Sequence, residues 1–149
     1  MRLSRSRLLS LLATPALISL AVTGAQAGSH VHAAAAPVKV ATANILVTAK
    51  GLTLYVFAPD PPNKSTCYDK CAKYWPPLLV PSGAQPPATM AGIPGAFGTI
   101  TRTDGTLQVT YDKAPLYTFL FDKKPGQMNG QGSTASGGYW WVVVAGGGK

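Results

Sequence analysis

From Val40 onward, short β-prone apolar runs alternate with Gly- and Pro-rich breaks. Ala43 to Thr48 is one such run. Lys50-Gly51 offers a turn, and Leu52 to Phe57 returns as a second strand, so a hairpin is predicted. Pro59, Pro61 and Pro62 stop that strand, because proline cannot donate to a ladder. Ser65 is placed to cap a short helix over 66–74, which Pro76 and Pro77 would end. Residues 81–98 read as a long surface connection. Strand character resumes over 99–101, and Asp104-Gly105 is a strong turn signal. Leu107, Val109 and Tyr111 alternate with Gln108 and Thr110, the pattern of a half-buried strand. Further strands are expected over 116–121 and 139–144, separated by a Gly-rich loop over 122–138. The fold class expected is mainly β. It is a small single domain of two pseudo-symmetric β-hairpin repeats, with one short helix at the Cys67–Cys71 segment.

The N-terminus follows a different pattern. Arg2, Arg5 and Arg7 precede an apolar stretch, and Ala25-Gln26-Ala27 is a small-x-small cleavage site. That order is a secretory signal peptide over 1–27. The stretch is shorter than the roughly 18–20 residues a membrane span needs, and Pro15 interrupts it. Residues 28–39 are expected to be a flexible leader and 40–145 the folded domain, with repeat one about 40–80 and repeat two about 99–145. The product would be secreted, periplasmic or otherwise extracytoplasmic, with no transmembrane segment once cleaved.

Cleavage removes three of the 13 basic residues and none of the five acidic ones, so the mature chain keeps a net charge of +5. Lysines dominate and are scattered, which is a solvated surface and not the clustered footprint of a nucleic-acid binder. The only two cysteines, Cys67 and Cys71, are spaced for one helical turn. In an oxidising compartment a disulfide is the expected state.

Two segments match each other. Leu54-Tyr55-Val56-Phe57 leads to Asp60, and Leu116-Tyr117-Thr118-Phe119 leads to Asp122, with an offset of 62 residues. Each is followed by a Trp segment, at Trp75 and at Trp140-Trp141. Tyr and Phe two apart on a strand share a face and supply bulk to a core. An Asp at a strand exit can fix the following turn. Tyr55, Phe57, Asp60, Tyr117, Phe119 and Asp122 are therefore expected to form core and turn. The alternative is that Asp60 and Asp122 converge on a cation.

With these motifs the chain resembles the secreted or lipoprotein repeat family of unknown function, described by a Tyr-x-(Phe/Trp/Tyr)-x-x-Asp motif. Further matching stretches are Trp75-Pro76-Pro77-Leu78-Leu79, Gly98 to Gly105, Gln108 to Tyr111, Pro115-Leu116-Tyr117, and Asp122 to Gly126 with Asn129 to Gly132. The resemblance implies the compartment and a two-repeat fold, and it implies no activity. Asp69 and Lys113 stand where relatives commonly carry Gly, which puts the local turns in question.

Catalytic groups are scarce. There is no Glu, and both histidines, His30 and His32, lie in the leader. The chain is read as a non-enzyme, an envelope binding or structural module that uses its loops and the aromatic residues Tyr68, Tyr74, Trp75, Tyr139 and Trp140. Two other readings stand beside it. One is metal handling, because cleavage after Ala27 would expose Gly28-Ser29-His30, a square-planar nitrogen set suited to Cu(II). The other is an apolar small-molecule binder with a cavity between the repeats.

Overall fold

The computed structural model describes residues 36–147; Gly28, Ser29, His30 and the signal segment lie outside them. The fold is mostly short strands: β1 (Val38–Val40), β2 (Leu46–Thr48), β3 (Tyr55–Phe57), β4 (Leu79–Val80), β5 (Phe97–Thr101), β6 (Leu107–Tyr111), β7 (Ala114–Pro115) and β8 (Trp140–Val142). Among the described residues one α-helix, α1 (Asp69–Tyr74), sits between β3 and β4, and two short 3-10 turns lie at Thr42–Asn44 and Ala135–Gly137. All strand pairings are antiparallel.

The repeats are interlocked. β3 of the first repeat pairs with β8 of the second, Tyr55 opposite Val142 and Phe57 opposite Trp140. β4 of the first repeat pairs with β6 of the second, which also carries β5 and β7. Between the two motifs, Tyr55 N–H donates to the Tyr117 carbonyl at 2.8 Å, and Tyr117 N–H donates back to the Tyr55 carbonyl at 2.9 Å. This reciprocal pair marks a local pseudo-two-fold axis.

Several local expectations are revised. The turn at Lys50-Gly51 forms, with Thr48 N–H bonded to the Leu52 carbonyl. Only Val47 and Thr53 bridge beyond it, and β3 turns to β8 instead. The hydrophobic reason is Tyr55 and Phe57, whose burial needs the aromatic residues of the other repeat. The helix begins at Asp69 with Tyr68 at its cap, and Ser65 is drawn into a buried network instead. β6 is buried on both faces, with Gln108 at 0% exposure. That polar residue tolerates burial because Arg102 donates to its Oε1 and its Nε2 donates to the Leu116 carbonyl. The 116–121 segment pairs at Tyr117 without forming a continuous strand. Among the described residues the first strand begins at Val38, within the 28–39 span.

Two apolar clusters fill the interior. Leu46, Leu54, Val109 and Leu116 anchor an aliphatic one. The other is built from Tyr55, Phe57, Cys67, Trp75, Tyr117 and Trp140, and the disulfide between Cys67 and Cys71 closes its edge.

Candidate functional site

Each motif phenol reaches the aspartate of the other repeat. The Tyr55 hydroxyl donates to Asp122 Oδ2 at 2.5 Å, and the Tyr117 hydroxyl donates to Asp60 Oδ2 at 2.6 Å. The second oxygen of each carboxylate fixes the loop that follows it. Asp60 Oδ1 accepts from the Thr66 N–H and hydroxyl; Asp122 Oδ1 accepts from the Asn129 N–H and Nδ2. Asp60 and Asp122 are each 3% exposed. Five of the six motif residues are thus brought together in the interior, with Phe119 half-buried against them. Burial, then the hydrogen bond to Asp122, pushes the Tyr55 phenol far above its ordinary range. For Tyr117 the causes are burial and then Asp60.

The rings repeat this crossed order. Trp75 and Trp140 stack face to face, 3.9 Å between centroids and 1° between planes. Phe57 stacks on the outer face of Trp140, and Phe119 stacks on Trp75. Tyr55 meets Trp75 edge-on, and Tyr117 meets Trp140 the same way. The expectation that Trp75 and Trp140 are surface residues is therefore corrected: both are fully buried. The alternation of β8 sends Trp140 inward and Trp141 outward, so Trp141 is the exposed indole. The run Tyr139-Trp140-Trp141 carried the signal for this, since successive strand residues face opposite sides. Tyr74 and Tyr139 are exposed as expected, and Tyr68 is half-buried.

A polar relay without a counterpart in the first repeat joins this core. Arg102 is buried, and its Nη1 donates to Ser65 Oγ and Gln108 Oε1 while Nη2 donates to the Cys67 carbonyl. The guanidinium also lies 4.3 Å from the Tyr68 ring centroid. Because Tyr117 donates to Asp60, the 2.7 Å contact between Ser65 and Tyr117 has Ser65 as donor. Arg102 is the sole arginine beyond the N-terminal segment, and its planar guanidinium can serve several buried acceptors at once.

Outside the core, an open groove of about 750 Å³ runs over β3 and β8. Val56, Ala58 and Val142 form its floor, Trp141 lines one side, and Tyr111 and Asp112 line the turn after β6. Trp141 also stacks with Tyr139, with 5.5 Å between centroids. Among the described residues no group of three His, Cys, Asp or Glu side chains comes together, and no helix is long and apolar enough to cross a membrane.

The pair of crossed motifs decides the relationship. A family model described as a secreted repeat of unknown function matches residues 38–79 and 98–144, more than half of the chain. The chain belongs to this family of secreted repeats. The two matched stretches are the halves that interlock, and the family's description supports an extracellular location. Comparison with curated proteins and with solved structures finds no match.

Proposed function

We propose that this secreted repeat protein is a non-catalytic binding module, exported by cleavage after Ala27, whose binding face is the groove over β3 and β8. The observation that carries this reading is the division of labour between the inside and the outside of the β3–β8 pair. Inward, Tyr55, Phe57 and Trp140 are sealed. Outward, Val56, Ala58 and the exposed Trp141 line a concave apolar surface of about 750 Å³, a size that suits small ligands of roughly 300–1,000 Å³ sites. The Ser65–Tyr117–Asp60 chain has the connectivity of a proton relay, but its serine is 4% exposed and holds Arg102, which supports a structural role over a nucleophilic one.

The test is titration with the apolar dye anilinonaphthalene sulfonate, followed by dye fluorescence and calorimetry. Saturable one-to-one binding is expected, weakened by about tenfold or more in Ala58→Trp, which fills the groove floor. Near-ultraviolet circular dichroism checks that the aromatic stack is intact in that variant. Absence of saturable binding, or equal affinity in the filled variant, would reject the groove.

A further inference from the structure

We propose that the interlocked aromatic core is a one-electron relay in which a positive hole passes through Trp75 and Trp140 and comes to rest on Tyr55 or Tyr117. Three observations point to this, and none is needed for packing alone. The first is continuity. Tyr55–Trp75, Trp75–Trp140 and Trp140–Tyr117 are successive ring contacts at 5.4, 3.9 and 5.1 Å between centroids. Trp140 is covalently next to exposed Trp141, and Trp75 is next to exposed Tyr74, so both indoles have an aromatic neighbour at the surface.

The second is where protons can go. A phenol that loses an electron becomes a very strong acid, and it holds the hole only if a base takes its proton. Tyr55 and Tyr117 donate to carboxylates at 2.5 and 2.6 Å, away from solvent. Tyr111 is an internal contrast, equally buried but donating to the Pro94 carbonyl, which is a far weaker base.

The third is the indoles themselves. Trp75 Nε1 is buried with no hydrogen-bond acceptor among the described residues, and Trp140 Nε1 donates only to the Ala135 carbonyl. An oxidised indole in this stack therefore keeps its proton and stays cationic. It relaxes by taking an electron from the adjacent phenol.

A one-electron oxidant at the surface removes one electron from the indole stack. Tyr55 supplies that electron to the stack, its O–H bond breaks, and the proton passes to Asp122 Oδ2. The products are a neutral phenoxyl radical and a carboxylic acid. Tyr117 and Asp60 are the equivalent pair. A one-electron donor such as ascorbate reverses the step, and the proton returns to the phenol.

The experiment generates a ruthenium(III) polypyridyl oxidant by light, with persulfate as electron acceptor, and reads the radical by freeze-quench electron paramagnetic resonance. A neutral tyrosyl signal is expected. It should persist when Tyr68, Tyr74 and Tyr139 are all changed to Phe. It should be lost in the Tyr55→Phe/Tyr117→Phe double variant, leaving an indole cation. In the wild type its formation should slow in deuterium oxide, a readout that requires no folded variant. Asp60→Asn with Asp122→Asn keeps an acceptor oxygen but removes the base, and should abolish the phenoxyl signal. A signal that disappears with the outer tyrosines, that survives the double Asn change, or that forms equally fast in deuterium oxide would overturn the relay.

Discussion

Asp60 and Asp122 each bring a carboxylate to 3% exposure, and the protein answers with at least three hydrogen-bond donor groups apiece. Removing one donor leaves an acceptor that water cannot reach, and bonds to charged groups are worth about 1.5–3 kcal/mol. Tyr55→Phe and Tyr117→Phe are each expected to cost about 2 kcal/mol, measured by urea unfolding. The larger loss is expected at Tyr117, where the Ser65 hydroxyl loses a partner at 2.7 Å, against 3.3 Å for the Gly130 N–H that Tyr55 accepts. The same phenols set a pH dependence. Both hold their protons more tightly folded than unfolded, where the ordinary value is 10.0. Their contribution is complete below about pH 10. It declines as pH rises past that value, by up to about 1.4 kcal/mol per pH unit for each phenol, because the unfolded chain then binds fewer protons than the folded one. Unfolding midpoints between neutral and strongly alkaline pH should show this fall, and each Tyr→Phe change should halve the slope. Arg102 belongs to the same class of buried polar group. Its three hydrogen bonds, its 3.7 Å ion pair with Asp104 and its stacking on Tyr68 make Arg102→Ala expected to cost about 3 kcal/mol or more by urea unfolding.

At the level of elements, the turn between β6 and β7 carries the clearest strain. Tyr111 pairs with Ala114, so Asp112-Lys113 is a two-residue hairpin loop, with φ of 46° and 69°. That is the geometry of a type I′ turn, which favours Asn-Gly or Asp-Gly. Lys113 adopts the left-handed region at a cost of about 1 kcal/mol relative to glycine. Lys113→Gly should raise thermal stability by about that amount, a few degrees in a thermal melt. The sequence put this turn in question, and the structure gives both of its central residues positive φ. Asp69, at φ 48°, begins α1 in the same conformation. Other elements were less legible. Leu52 to Phe57 reads as a hairpin partner of the preceding strand, because adjacency in sequence is the strongest local prior. That partnership holds through Leu54, whose N–H bonds the Leu46 carbonyl; from Tyr55 on, burying Tyr55 and Phe57 against Trp75 and Trp140 draws the strand to β8. Gln108 reads as solvent-facing because nothing local announces Arg102 as its partner. Alternation around Trp140 and Trp141 was on the page, but it only names the buried member once the opposing face is known.

The whole molecule is a case of two similar halves that cannot each close a core. β1 pairs with β2 inside the first half, but β3 pairs with β8 and β4 with β6, and the Leu46 N–H reaches the Val143 carbonyl, so two of the first half's strands take their partners from the second. The doubled motif announced two repeats, and its spacing announced shared faces. What it did not announce is the exchange, because Tyr55 with Asp60 and Tyr117 with Asp122 look like pairs within a repeat until the chain is folded. Exchange has a thermodynamic consequence. A half cut from the other would expose one face of its tryptophan, separate its phenol and one oxygen of its carboxylate from each other's counterparts across the repeats, and keep too little apolar surface to offset ordering about forty residues. Expressed separately, residues 38–79 and 98–144 should therefore each lack the coupled near-ultraviolet circular dichroism of the Trp75–Trp140 stack and unfold without cooperativity. Mixed, they should recover both, with a midpoint that rises with concentration, since the interface is now between molecules. Cooperative unfolding of either half alone would show that the crossed hydrogen bonds decorate two self-sufficient repeats. Recovery only on mixing would show that the Tyr-x-Phe-x-x-Asp motif is a locking device between halves.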